Sequence, residues 1–158
     1  MSLSVGSEAP DFALQNQHGQ VVRLSDLRGQ RAALVVFYPW AFSGICGGEL
    51  HAMQERLYEL DSDEVALFTV STDSIYALRT FADREGFTFP MLSDFWPHGE
   101  VAHAYGVLHP DVGVAVRGTF LVDSEGIVRW SVVNGIGEAR DVDAYKEAVA
   151  VLGSGARG

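Results

Sequence analysis

Residues Ala32 to Tyr38 form an unbroken apolar run rich in β-branched side chains. A run of this kind has no face to offer to water, so it predicts a strand buried on both sides, as in the centre of a parallel sheet. Beyond the Pro39 to Ile45 loop, apolar residues recur at Cys46, Leu50, Met53, Leu57 and Leu60. Those steps of four and three trace one face of an amphipathic helix, with Cys46 in its first turn. Val65 to Val70 predicts a second buried strand, and Asp73 a cap for a helix bearing Ile75, Leu78, Phe81 and Ala82 on one side.

The remaining elements extend this β-α-β-α core. Asp11 to Leu24 alternates loosely around Asn16-Gln17-His18-Gly19, which suggests a small N-terminal hairpin. Ser25 to Gly29 reads as a capped single helical turn closed by glycine. Between Phe89 and Tyr105, interrupted by Pro90 and Pro97, a short strand and a short helix are expected. Arg117 to Val122 and Ile127 to Val133 are strands joined by Asp123-Ser124-Glu125-Gly126, a link short enough to force antiparallel pairing. A last helix is expected from Asp141 to Leu152. The sum is an α/β fold, a mixed central sheet flanked by helices with an N-terminal hairpin extension, in the element order of the thioredoxin fold. Its 158 residues suit one domain, residues 1–158, and no repeat or linker divides them.

Composition narrows the function. An apolar fraction of 47% excludes intrinsic disorder, and a net charge of -10 repels nucleic acid and anionic membranes. The longest uncharged stretch, Ala32 to Gly48, is too short and too interrupted by proline and glycine to span a bilayer. Glu8 and Asp11 stand where a signal peptide would need basic residues and an apolar run, so a cytoplasmic protein is expected. His98, His103 and His109 suit no common zinc spacing and no dinucleotide or phosphate-binding glycine motif opens a helix, so neither metal nor cofactor is predicted.

Attention falls on the single cysteine, which has no internal disulfide partner. A lone cysteine opening a helix's inner stripe is ordinarily a small buried apolar residue. Its neighbours suggest more. An unperturbed thiol titrates near about 8.5 and is weakly nucleophilic at neutral pH, whereas a helix N-terminus, with its unpartnered N-H groups, favours the thiolate. Ser43, three residues earlier, carries a hydroxyl able to face the sulfur, and Pro39 fixes the end of the central strand. Gly44, Gly47 and Gly48 let backbone approach a small molecule closely.

The stretch from Tyr38 to Cys46 resembles the P-x-x-x-(T/S)-x-x-C signature of the peroxiredoxins. Val5 to Leu14 with Val22 to Gly29, Phe87 to Asp94, and Arg117-Gly118-Thr119-Phe120-Leu121-Val122-Asp123 are similar to three further segments of that family. The single cysteine and Asp94 to Gly99 resemble its one-cysteine AhpE-type branch, found in actinobacteria. The resemblance implies a thiol-dependent peroxidase in which Cys46 attacks a peroxide and becomes a sulfenic acid. It implies that Ser43, Arg117 and the Cys46 N-H stabilise developing charge, and that Pro39 shields the sulfur. Glu49 has two readings, a carboxylate holding Arg117 or an ordinary first-turn acid favoured by the helix dipole. Ser43 stands where threonine is commoner.

With no second cysteine, the sulfenic acid needs an external thiol reductant. Candidates are a low-molecular-weight thiol such as mycothiol, or a mycoredoxin, glutaredoxin or thioredoxin-like protein. Trp40, Phe42 and Trp96 fall in expected loops, where exposed aromatics favour a homodimer. Two other functions fit the same residues. One is a monothiol disulfide oxidoreductase, since Ser43-x-x-Cys46 is a C-x-x-C pair lacking its first sulfur; the other is a non-enzymatic binding or holdase module using the aromatic surface.

Overall fold

The computed structural model of the chain describes residues 3–136 and 141–155. The apolar run becomes β3 (Ala32–Phe37), with every residue buried. It lies between a parallel neighbour, β4 (Val65–Ser71), and an antiparallel one, β6 (Arg117–Val122). Outside β4 come β5 (Met91–Ser93), parallel to it, and then the hairpin β1 (Ala13–Gln15) and β2 (Val21–Arg23). Outside β6 is β7 (Val128–Asn134), completing a sheet in the order β2-β1-β5-β4-β3-β6-β7.

Because alternate residues of β3 point to opposite faces, the strand feeds two cores. Ala33, Val35 and Phe37 pack with Phe12, Phe68, Tyr105, Phe120 and Val122. Leu34, Val36 and Tyr38 pack with Cys46, Leu50 and Met53 of α1 (Gly44–Glu55), with Leu78 and Phe81 of α3 (Ile75–Glu85), and with Tyr145 of α5 (Val142–Gly155). This is the thioredoxin-type α/β arrangement, with the cysteine-bearing helix on one face of the central strand.

Three local expectations are corrected. The turn after β2 is a 3-10 turn, Leu24–Leu27, without a side-chain cap from Ser25; the Asp11 carboxylate instead accepts the Ser25 N-H at 2.9 Å. The helix expected to run through Leu60 ends at Glu55. The Arg56 N-H folds back to the Met53 and Gln54 carbonyls, and a separate turn, α2 (Leu57–Leu60), follows. Ser74, not Asp73, caps α3, accepting the Ala77 N-H at 3.2 Å. Asp73 is thereby free for a different bond, described below.

The connection from β5 to α4 (Glu100–Ala104) is held by Asp94, which is almost wholly buried. Its carboxylate accepts the N-H groups of Val101 at 3.1 Å and Ala102 at 2.9 Å. Burial pushes its pKa above the ordinary value, outweighing the downward pull of those two bonds. The folded state therefore binds this proton more readily than the unfolded chain, whose value lies near about 4. The contribution to stability is full below that value and is lost as the pH rises through the folded one. Compared with Asp94→Asn, which does not titrate, the wild-type protein is expected to lose relative stability as the pH is raised from about 4 through the folded-state pKa. Urea midpoints of both proteins across that range check this, and a constant gap contradicts it.

Candidate active site

The last rung of the β3–β4 ladder is the Tyr38 N-H donating to Val70 O at 3.0 Å. Pro39 follows, buried and lacking an N-H, so the ladder stops and the chain leaves the carboxyl end of the strand. The reversal into α1 is made at Phe42, whose φ of +66° is left-handed, a conformation costing roughly 1–2 kcal/mol for a residue with a Cβ. Neighbouring groups hold it there. The Phe42 ring packs on Phe81 with centroids 4.8 Å apart, and the Arg84 guanidinium lies 5.6 Å over its face. One residue earlier, the Ala41 N-H donates to the Asp73 carboxylate at 2.9 Å.

Ser43 then caps α1. Its Oγ accepts the Cys46 N-H at 3.3 Å, and its carbonyl accepts the Gly47 N-H at 2.8 Å. Two of the expected donors thus meet each other, and the cap bond is at the long end of the range for such bonds. As acceptor in this bond, Ser43 keeps its own hydroxyl proton for another partner. The Cys46 side chain is turned inward and is 0% exposed. An added Cβ at Gly44, Gly47 or Gly48 would meet no residue beyond its chain neighbours within 4 Å, so these glycines leave the outer side of the first turns open.

Arg117 is the first residue of β6. It lies two residues beyond the register pair Val36↔Thr119, on the sheet face covered by α1. Its side chain is 2% exposed, unlike a solvated strand-edge arginine. Nη1 donates to the carboxylate of Glu49, itself 7% exposed, and Nε donates to Ile136 O at 3.0 Å. Glu49 lies three residues after Cys46, on the same helix face, so one turn of α1 carries both the sulfur and the anchor of the guanidinium.

Two contributors give no clear signal in the sequence. Asp73-Ser74 offers two adjacent side chains equally suited to capping, and only the fold shows which one turns toward Ala41. The Ile136 carbonyl is backbone, legible in no side-chain pattern. The aromatic residues divide as well. Phe37 and Tyr38 are core, whereas Trp40 (39% exposed), Phe42 (49%), Phe95 (54%) and Trp96 (81%) stand in loops leaving the carboxyl ends of β3 and β5. Those ends lie on one edge of the sheet, because β3, β4 and β5 are parallel neighbours. Among the described residues, no three His, Cys, Asp or Glu side chains gather as metal ligands, and no helix is long and apolar enough to cross a membrane.

Comparison with known proteins agrees over nearly the whole chain. The AhpC/TSA family model matches residues 5–131. Alkyl hydroperoxide reductase E of Mycobacterium tuberculosis is 45% identical over 150 residues, spanning 95% of this chain and 98% of that protein. The crystal structure of reduced Plasmodium vivax 2-Cys peroxiredoxin superposes with a TM-score of 0.86 at 27% identity, covering 97% of this chain and 83% of the other. Peroxidoxin BcpB from M. tuberculosis gives a TM-score of 0.84 at 26% identity, covering 95% and 98%.

The burial of the Arg117–Glu49 pair sets a stability test. Removing one partner strands a charge in the interior, so Glu49→Ala is expected to lower unfolding free energy by about 3–5 kcal/mol. The paired change Glu49→Leu with Arg117→Met should recover most of that loss, because apolar groups of similar size need no compensation. Urea unfolding of the three proteins measures both effects; a single variant within about 1 kcal/mol of wild type contradicts the assignment.

Proposed function

This chain belongs to the AhpC/TSA family, the peroxiredoxins, and from that premise we propose how its residues carry out thiol-dependent peroxide reduction. Residues 1–158 act as one peroxiredoxin domain of the AhpE type. The Cys46 thiolate attacks the terminal oxygen of the peroxide, forming an S-O bond as the O-O bond breaks. Sulfur loses two electrons and becomes a sulfenic acid; the other peroxide oxygen leaves with the electron pair and takes a proton, giving water or an alcohol.

Charge develops on both oxygens during this step, so fixed donors lower the barrier. The Arg117 guanidinium and the Ser43 hydroxyl are those donors, with the Cys46 N-H shared between the Ser43 cap and the substrate. Glu49 is a positioning residue that keeps Arg117 on the cysteine face of α1, and Pro39 covers the sulfur from the strand side. The observation carrying this reading is the buried guanidinium anchored one helical turn from the only cysteine. A disulfide oxidoreductase has no need for such a donor.

The sulfenic acid condenses with an external thiol, releasing water and leaving a mixed disulfide; a second thiol attacks the first thiol's sulfur, forms a disulfide with it and releases the Cys46 thiolate. A low-molecular-weight thiol such as mycothiol, with mycoredoxin or a thioredoxin-like protein as second donor, suits a chain with one cysteine. This cycle belongs to a reducing, cytoplasmic setting. The exposed rim of Trp40, Phe42, Phe95 and Trp96 supports a homodimer built through the edge that carries the site.

Mixing reduced protein with one equivalent of hydrogen peroxide should consume it in a single fast turnover and raise the protein mass by one oxygen atom. Cys46→Ser should abolish both, and Arg117→Met should slow the turnover by about 10²–10³-fold, the usual loss for one such donor. If instead the protein reduces a mixed disulfide readily and leaves peroxide untouched, the oxidoreductase reading takes its place. In sedimentation velocity, the wild-type chain should run as a dimer at micromolar concentration and Trp96→Glu should shift it to monomer. A wild-type monomer contradicts the dimer.

A further inference from the structure

The roles assigned to Pro39 and Ser43 require residues 39–43 to hold one shape, yet this segment has few internal supports. Pro39 has no N-H, Trp40 is partly exposed, and Phe42 is in a strained left-handed conformation. From Pro39 to Phe42, the Ala41 N-H bond to Asp73 Oδ2 is, among the described residues, the one backbone hydrogen bond to another element.

Asp73 is built to receive it. The same oxygen accepts the hydroxyl proton of Ser71, the last residue of β4 and almost wholly buried, at 2.7 Å. The Asp73 carbonyl accepts the Ser93 hydroxyl at 2.6 Å, and Ser71 O accepts the Asp94 N-H at 2.8 Å. The carboxylate is thus oriented from β4 and β5 and aimed across the sheet edge at the loop leaving β3. It is not occupied with capping, because Ser74 does that.

We propose that Asp73 is a positioning residue for peroxide reduction: through the Ala41 N-H it holds the 39–43 loop so that Ser43 and Pro39 keep their places around Cys46. This rests on the site reading given above. Asp73 touches neither sulfur nor peroxide, so its loss should impair the reaction that needs aligned donors more than a reaction that needs only the thiolate.

The test compares wild type, Asp73→Ala, Asp73→Asn and Ser71→Ala by three measurements: single-turnover reaction with hydrogen peroxide, alkylation of the reduced thiol by iodoacetamide, and urea unfolding. Asp73→Ala should lower the peroxide rate constant by about 10- to 100-fold, the scale of a misplaced reacting geometry. Its alkylation should be no slower and its unfolding still cooperative. Asp73→Asn, whose amide oxygen can accept both bonds, should recover the peroxide rate to within about threefold. Ser71→Ala, which removes one orienting bond, should slow peroxide about two- to tenfold, and it decides the matter if Asp73→Ala does not fold. A peroxide rate within about twofold of wild type for both Asp73→Ala and Ser71→Ala overturns the proposal. So does a proportional fall of peroxide and alkylation rates, the mark of a merely structural role. A wild-type protein that ignores peroxide overturns the site reading and this proposal together, and is distinguished because every variant is then equally inert.

Discussion

A guanidinium can be buried only where a counter-charge and hydrogen-bond acceptors meet it, since removing each ion from water costs several kcal/mol. In this protein that requirement falls on Arg117, and it is met by Glu49 from α1 and the Ile136 carbonyl beyond β7. The consequence is geometric. With Glu49 committed to Arg117, α1 cannot rotate or slide along the sheet without stranding a charge, and Cys46, three residues earlier on the same face, is held with it. The polar pair thus acts as a register pin in a layer otherwise packed by Leu34, Val36, Leu50 and Met53, whose contacts would tolerate small shifts.

A second constraint is set by sheet order. Three parallel neighbours, β3, β4 and β5, send their carboxyl ends to one edge, so the loops that follow them gather there. The loop after β3 carries Pro39 and Ser43, the loop after β4 carries Asp73, and the loop after β5 carries Asp94, Phe95 and Trp96. A strained left-handed residue, Phe42, persists at this edge because a ring contact, a cation over that ring and the neighbouring Ala41 bond all act on the same short segment. Strain of this kind is a common accompaniment of sites where side chains must be aimed.

The elements were legible where the pattern is strong and local. The continuous apolar run predicts β3, and the antiparallel hairpin of β6 and β7 follows from a short polar link between two apolar segments. Legibility failed where two local solutions are nearly equal in energy. Asp73 and Ser74 are both good caps, and Ser25 looks like a cap that Asp11 in fact replaces. The break at Arg56 is likewise invisible to periodicity, because Met53 before it and Leu57 and Leu60 after it keep the helical spacing. In each case the deciding interaction comes from groups distant in sequence or from a backbone turn with no side-chain signature.

What the chain's order of residues determined alone is the chemistry on offer: one sulfur near the start of a helix, a hydroxyl three residues before it, a proline closing a fully buried strand, and an acidic surface hostile to nucleic acid. These are one-dimensional facts, because they depend on residue type and on spacings of a few residues, over which backbone geometry is predictable. Tertiary structure alone decided which charges were buried and with whom. That Glu49 meets Arg117 across 68 residues, and that Asp73 turns from capping its own helix to grip the Ala41 N-H, are products of strand order and register. Such pairings follow from the competition of desolvation against bonding among all the groups that folding brings together, and no local pattern contains that competition.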